Sequence, residues 1–571
     1  MPIVMRRLLS IALLLLVAAG AAPLAAQSGP PPSLRLTLRP VSVEGAVTRV
    51  EVRMEIEAPR AAAGDPLLRL PLTIVGIPTA AYRAGDIEAR DARGALTLTQ
   101  ADEPARPEGV YRRFLVPRAT DGDVVVRYAA TPRVVSALTN NGPLFDMRAE
   151  AGGFMGAGIT FLALPVREGP FRVTLDWDMS AMPAGARGIW SLGEGRVETV
   201  GPAQQVAFSY YAAGPLHRFP EQAGRFGIYW LAEPPFAIDA LAGRISRLYD
   251  TMSAFFDDAE STYRVFVRQH PYRGQGGTAL SRSFMFGYHA PARPGVDELQ
   301  ELLAHEMAHN WPSLQGEHGD TAWYSEGAAE YYALVFAHRA GLLDRAGLLR
   351  EVNQRANNYY THPFRGLTNE EAARRFWSDP FVQQVPYGRG FLYLAQTDAA
   401  IRRASNGRRS LDDVVKELRA RQTSGRPFGI PQWLELVGAE LGRERAERDY
   451  RRMTSGAALE PEGAFAPCFT AALEPRAVFD LGFARRSLND DATVRELRAD
   501  SNAARAGLRD GDVILNSTEL NGLVRDASAR MTLQIRRDGA EQMIEYLPRG
   551  APVENYAFAD NPAISNEQCR F

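Results

Sequence analysis

The sequence predicts a multidomain protein with a β-rich amino-terminal domain, an α+β domain that turns helical towards its end, and a small carboxy-terminal domain. Three observations carry this. Residues 33 to about 215 alternate apolar and polar side chains over short runs, as in Leu34-Arg35-Leu36-Thr37-Leu38, Val50-Glu51-Val52-Arg53-Met54 and Phe171-Arg172-Val173-Thr174-Leu175, with Gly, Pro and Asp between them; this is the pattern of an antiparallel β-sandwich. Residues from about 216 to 465 are mixed and then helical in period. A last stretch is bracketed by the only two cysteines, Cys468 and Cys569. A length of 571 residues leaves room for about three or four such domains.

Residues 1–26 read as a secretory signal. Arg6 and Arg7 form a basic start, Leu8 to Ala18 an apolar core, and Ala21 to Ala26 offers small-residue cleavage sites. Cleavage and retention as an anchor are both compatible with it, and no stable membrane span is expected once it is removed. Export to the periplasm or beyond follows. The β domain then covers 27–215, the mixed domain 216–465, the last domain 470–550, and a tail 551–571. In the mixed domain, Ile238 to Asp257 is amphipathic and Tyr263 to Val267 strand-like. Gly341 to Ala356, Leu367 to Trp377, Tyr387 to Ala404 and Leu411 to Arg421 read as further helices.

The composition is 46% hydrophobic and 23% charged, with a net charge of -2, so there is core enough for a globular protein and no basic excess for nucleic acid. Lys416 is the only lysine, which leaves none for catalysis elsewhere.

One stretch organises the chain: His305-Glu306-Met307-Ala308-His309 on a predicted helix, with Asp297 as the expected N-cap and Pro312 closing the far end. Histidines four apart share a helical face and can aim at one metal ion. Glu306 follows the first of them, where a carboxylate takes a proton from the attacking water. Beyond His309, in a second helical run, Trp323-Tyr324-Ser325-Glu326-Gly327 supplies a third donor, Glu326. Two histidines, a glutamate and one open position make a catalytic Zn2+ sphere, one ion per chain. Glu330, one turn later, is placed to accept the second ring N–H of a ligand histidine.

These motifs resemble the glycyl aminopeptidase family of the gluzincin clan, zinc peptidases related to the leukotriene hydrolase/aminopeptidase type. Trp311, two residues after His309, is characteristic of that family, and the Trp-x-x-Glu-Gly block is the clan's third-ligand helix. The resemblance implies a thermolysin-like catalytic domain with a helical carboxy-terminal part, preceded by an all-β domain, and a peptide or protein substrate. Val385-Pro386-Tyr387-Gly388-Arg389-Gly390 resembles the clan's Tyr-x-Lys-Gly element with Arg389 for Lys, which implies that Tyr387 stabilises the tetrahedral oxyanion. Ser410-Leu411-Asp412-Asp413-Val414 is also similar to the family.

One departure stands out. The family's Gly-Gly-x-Glu edge-strand motif corresponds to Gly276-Gly277-Thr278-Ala279, with Ala279 where the glutamate that grips a free amino terminus is expected. The two glycines still suit backbone alignment of substrate. An aminopeptidase is the reading by resemblance; an endopeptidase on the same site stays open.

The last domain resembles a PDZ domain. Asp480-Leu481-Gly482-Phe483 is similar to its carboxylate-binding loop, and Asp500 to Leu515, with Ala506-Gly507-Leu508 and Gly511-Asp512-Val513-Ile514, follows the bacterial PDZ pattern. Leu481, Gly482 and Phe483 are thereby implied to receive a peptide carboxyl terminus. A non-catalytic PDZ scaffold that keeps its zinc is the remaining alternative. Because the ends of a PDZ domain lie close together and the chain looks exported, Cys468 and Cys569 are expected to form a disulfide.

Overall fold

A computed structural model describes residues 30–571 except 106–108, 137–138, 140–141, 273–274, 292–293, 377–378, 380, 489–491, 519 and 570. The expected signal segment lies outside the described residues. Contacts divide the chain into two compact units that meet in sequence between Asn310 and Trp311.

The first unit opens with β-structure. Ser33–Val43 and Ala46–Ile56 form the antiparallel hairpin that the alternation predicts, with Leu34, Leu36, Leu38, Val50, Val52, Met54 and Ile56 buried on one face. They belong to a seven-stranded sheet, beside two five-stranded ones that share its core. One pairing departs from the antiparallel expectation. Phe171–Trp177 runs parallel to Ser33–Val43, a long-range pairing that no local pattern encodes.

The same unit then builds a five-stranded sheet from β1 (His217–Phe219), β2 (Phe226–Trp230), β3 (Tyr263–His270), β4 (Gln275–Leu280) and β5 (Ser283–His289), in the order β1-β2-β3-β5-β4. β2, β3 and β5 are mutually parallel, whereas the hairpin β4–β5 is antiparallel and leaves β4 at the edge. Helix α1 (Ile238–Phe255) packs against α2 (Val296–Ala308), which carries the His-Glu-x-x-His stretch. The N-cap of α2 is Gly295, not Asp297. Asp297 sits in the first turn, where its charge complements the helix dipole and pairs with Arg244 of α1.

Asp146 anchors the interior of this unit. It is 1% exposed and accepts Arg148 Nε at 2.7 Å, Arg268 Nη2 at 3.0 Å and Arg133 Nη1 at 3.3 Å. Arg268, equally buried, also donates to the Asp146 carbonyl at 2.6 Å. Burial pushes the Asp146 carboxyl up, but the charges of Arg268 and Arg148 outweigh it and hold the group below the usual range.

The second unit is a helical array: α3 (His318–Arg339), α4 (Arg345–Tyr360) and α5 (Val385–Ala404), with shorter helices Asn369–Arg375, Leu411–Thr423, Ile430–Leu441 and Arg443–Thr454. Ser410 and Asp413 form a capping box that starts the helix at Leu411, and Asp344 caps α4. Beyond them lies a small β domain. Arg549–Val553 pairs with Arg476–Phe479, and Tyr556–Asp560 pairs with Phe469–Leu473, so 551–553 and 556–560 of the segment expected as a tail lie in strands. Cys468 and Cys569 form a disulfide with their Cα atoms 5.1 Å apart. In the chain-entropy model a loop of this length contributes up to about 4.7 kcal/mol. Among the described residues no helix is long and apolar enough to cross a membrane.

Replacing Asp146 with Asn removes the carboxylate that pairs with all three guanidiniums and should cost about 3–5 kcal/mol, read as a lowered denaturant midpoint. A second prediction concerns His362, 7% exposed, whose ring accepts the Phe364 N–H at 3.2 Å and whose pKa burial lowers to about 4. The unfolded chain binds this proton from about pH 6.5 downwards while the folded one resists it. Stability should therefore fall as pH drops from about 6.5 to about 4, and His362→Gln should flatten that part of the profile.

Candidate metal centre

His305 lies in the last turn of α2, and His309, at its C-cap, keeps helical backbone angles. The four-residue spacing therefore holds, and both rings face the same way. His305 and His309 are each 6% exposed, Glu306 is 1% exposed and Glu326, on α3, is fully buried. One ligand atom from each of His305, His309 and Glu326 lies within 4.8 Å of the others.

The donor set suits zinc. A tetrahedral ion with Zn–N bonds of about 2.0–2.1 Å holds two nitrogens about 3.3 Å apart. Nε2 of His305 and Nε2 of His309 are 3.2 Å apart. Two imidazoles and a carboxylate drawn together in a buried place are otherwise unfavourable neighbours, since a buried carboxylate needs a counter-charge.

Glu306 has two buried phenols near it. Burial holds Tyr210 and Tyr263 well above the usual phenol range, and the Glu306 charge adds to this, so both stay neutral donors. Tyr210 donates its O–H to the carbonyl of Thr278 at 3.0 Å, and the Thr278 hydroxyl accepts the Leu144 N–H at 2.9 Å. Edge strand β4 is thus tied down two residues after Gly276. The sequence reading missed Tyr210, which lies far from the motif in the chain and looks like an ordinary strand aromatic.

Gly276 and Gly277 do sit on that edge strand. A Cβ on Gly277, however, would lie 1.7 Å from the ring of Phe284 on the neighbouring strand. This glycine accommodates Phe284 and does not open room for substrate. Ala279 is buried at 4% exposure.

On α3 and α5 the packing is set by glycine. A Cβ on Gly390 would stand 1.8 Å from the Trp323 carbonyl oxygen, and one on Gly327 would stand 2.4 Å from Gly390 Cα. The two backbones touch directly beside Glu326, one turn after Tyr387. Gly388 meets α4 the same way, its missing Cβ 2.8 Å from that of Tyr359. Arg389, fully buried, donates to Asn369 Oδ1 at 2.6 Å and to the carbonyls of Arg365 at 2.7 Å and Leu367 at 2.6 Å. The Tyr-Gly-Arg-Gly run is therefore a wedge between α3 and α4, with Tyr387 half-buried in the first turn of α5. A signal was there: glycine costs about 1 kcal/mol inside a helix, so Gly327, Gly388 and Gly390 mark close contacts.

Glu330 Oε2 pairs with Arg355 Nε of α4 at 2.6 Å. His318 opens α3 with its ring against Phe376 at 4.5 Å, and His289 ends β5 in register with His270.

Residues 314–384, a span containing Glu326 and Glu330, match the model of the M61 glycyl aminopeptidase family. Over that span, 71 of the 571 residues, the chain is similar to the family. It is a gluzincin-type zinc metallopeptidase with His305, His309 and Glu326 as its metal-binding group. Among solved structures, the chain is similar to an aminopeptidase N family protein from Idiomarina loihiensis, with 13% identity, a TM-score of 0.64, and coverage of 94% of this chain and 99% of that one. That likeness concerns the fold. An M1 zinc metallopeptidase from Deinococcus radiodurans is 20% identical, with a TM-score of 0.45 over 75% of this chain and 94% of its own. Yeast LTA4 hydrolase is 15% identical, with a TM-score of 0.45 over 76% and 70%. No curated protein matches the sequence.

The carboxy-terminal loop behaves differently from the expectation. Asp480 Oδ1 accepts the Gly482 N–H at 2.9 Å, its Oδ2 pairs with Arg498, and the Ala484 N–H goes to the Arg495 carbonyl at 2.8 Å. Leu481 and Phe483 are buried in the domain's own core, and Arg485–Leu488 is a 3-10 turn. Of Leu481, Gly482 and Phe483, the residues expected to receive a peptide carboxylate, Gly482 thus has its amide engaged by a carboxylate of the chain itself.

Gly390→Ala should push α5 off α3. The expected outcome is a loss of about 1–3 kcal/mol in stability, together with weaker zinc retention because Glu326 sits next to the contact. Thermal unfolding and metal content after graded chelation read the two effects.

Proposed function

We propose that this protein is an exported zinc-dependent peptidase of the M61 aminopeptidase type. The observation that carries the reading is the convergence of His305, His309 and Glu326, with Glu306 buried on the same helix. Bound zinc supplies a Lewis acid that polarises the scissile carbonyl and acidifies water. Glu306 takes the proton of the attacking water and delivers it to the leaving amine. Tyr387 donates its O–H to the oxyanion that develops on the carbonyl, a contact stronger in the transition state than in the ground state. Glu330 serves to orient a ligand histidine, and its pair with Arg355 holds its own side chain in place. The outer edge of β4 near Gly276, which ends its sheet, offers backbone groups along which an extended peptide can lie.

Ala279 bears on the choice between exopeptidase and endopeptidase. A buried alanine cannot grip an ammonium, so preference for a free amino terminus has to come from another carboxylate. Export is supported by the basic and apolar start of the sequence, and the Cys468–Cys569 disulfide fits an oxidising compartment. The PDZ reading of residues 470–550 is kept for its Ala506-Gly507-Leu508 and Gly511-Asp512 elements, without capture of a peptide carboxyl terminus.

Glu306→Gln should retain zinc and lower kcat by about 10²–10⁴-fold. Peptides of one sequence with free and acetylated amino ends, given to the zinc-loaded enzyme, test specificity. Cleavage of the free form alone supports the aminopeptidase reading, and internal cleavage of both makes the protein an endopeptidase. A zinc-loaded protein that cleaves nothing in a broad panel would refute the catalytic reading.

A further inference from the structure

The turn that leads into Tyr387 is held from below by the carboxy-terminal domain. Residues Val382–Gln384 form a single 3-10 turn that runs straight into α5, and Tyr387 is the third residue of that helix. Just before it, Phe381 is 6% exposed and belongs to the same apolar cluster as Phe479, Leu481, Phe483, Leu523 and Ile535 of the small β domain. The rings of Phe381 and Phe479 stack at 5.9 Å with 14° between their planes. The Arg485 guanidinium lies over the other aromatic partner of this seam, 3.8 Å from the Phe381 centroid, and its Nη1 is 3.1 Å from Asp379 Oδ1. Asp379 Oδ1 in turn accepts the Phe381 N–H at 3.0 Å, and Oδ2 accepts Arg375 Nη2 at 2.9 Å. The Phe479 N–H donates to the Thr361 carbonyl at 3.3 Å, where α4 ends.

We infer that Arg485 and Phe479 of the carboxy-terminal domain are positioning residues for Tyr387. The domain is then a brace for the catalytic helix start rather than a module that captures peptide ends. Three considerations support this. A cation stacked on an aromatic ring and paired with a carboxylate fixes both partners in one geometry. Phe381 lies six residues before Tyr387, joined to it by the Val382–Gln384 turn and the start of α5, so a shift of the turn moves the phenol. A misplacement of about 1 Å at a transition-state donor is worth up to about 10²-fold in rate. The engagement of Gly482 by Asp480 fits the same picture, since the loop's amide serves the domain's own structure.

The inference rests on the oxyanion role proposed for Tyr387, and a mutant cycle separates the two. Tyr387→Phe, Arg485→Ala and the double variant are compared as zinc-loaded full chains on one peptide. Tyr387→Phe should lower kcat by about 10²-fold or more with little change in KM. Arg485→Ala should lower kcat by about 5–30-fold, leave KM and zinc content unchanged, and have no further effect in the Tyr387→Phe background. Phe479→Leu, which keeps the core apolar, should behave like Arg485→Ala, and Arg530→Ala, an exposed pair on the same domain, should leave kcat unaltered. If Tyr387→Phe retains full activity, the role given to the phenol fails. If Tyr387→Phe is impaired while Arg485→Ala and Phe479→Leu are not, or if their effects multiply with it, the brace is overturned.

Discussion

The direct backbone contact between Gly327 and Gly390 is the constraint on which the catalytic half of the molecule turns. Glu326 stands next to one glycine and Tyr387 one turn before the other. Any side chain at either position would run into the facing backbone, Gly390 into the Trp323 carbonyl and Gly327 into Gly390. Close packing of this kind is intolerant of volume, because protein interiors have no slack to take it up. The metal-binding glutamate and the phenol assigned to the oxyanion are therefore set by sterics rather than by attraction.

Around that contact the Tyr387 turn is fixed from several directions. Gly388 brings α4 against it, Arg389 clamps the 365–369 loop, and Phe381 enters the apolar core of the carboxy-terminal domain. Each is a short-range interaction, and together they remove the freedom that a residue in the first turn of a helix would otherwise have. Pre-organised donors stabilise a developing charge well because nothing has to be rearranged during the reaction. The Arg485–Asp379–Phe381 seam extends this principle to a domain whose sequence suggested a separate peptide-binding task.

The first unit applies the same logic with charge. Asp146 and its arginines tie β3, through Arg268, to residues 146–148, while Tyr210 and Leu144 pin Thr278. The edge strand offered to substrate is thus rigid where it meets the β domain. Tyr210 links that strand to the neighbourhood of Glu306. Buried, fully partnered ionic groups do little for net stability, but losing one member leaves the others uncompensated.

The sequence by itself determined the elements whose information is local. The alternation at Leu34–Leu38 and Val50–Met54, the helical runs, and the spacing of His305, Glu306 and His309 all follow from the geometry of a single strand or helix. Glu326 was legible because its motif lies within one helical turn. Tertiary structure alone decided what depends on distant partners. The parallel pairing of Phe171–Trp177, the ring of Phe284 over Gly277, the Asp480 carboxylate on Gly482 and the entry of Phe381 into another domain's core are contacts between residues whose own neighbourhoods say nothing of each other. Glycine and arginine illustrate the division: their positions were plain, but whether a glycine makes room for a substrate or for a phenylalanine is a matter of what the fold brings against it.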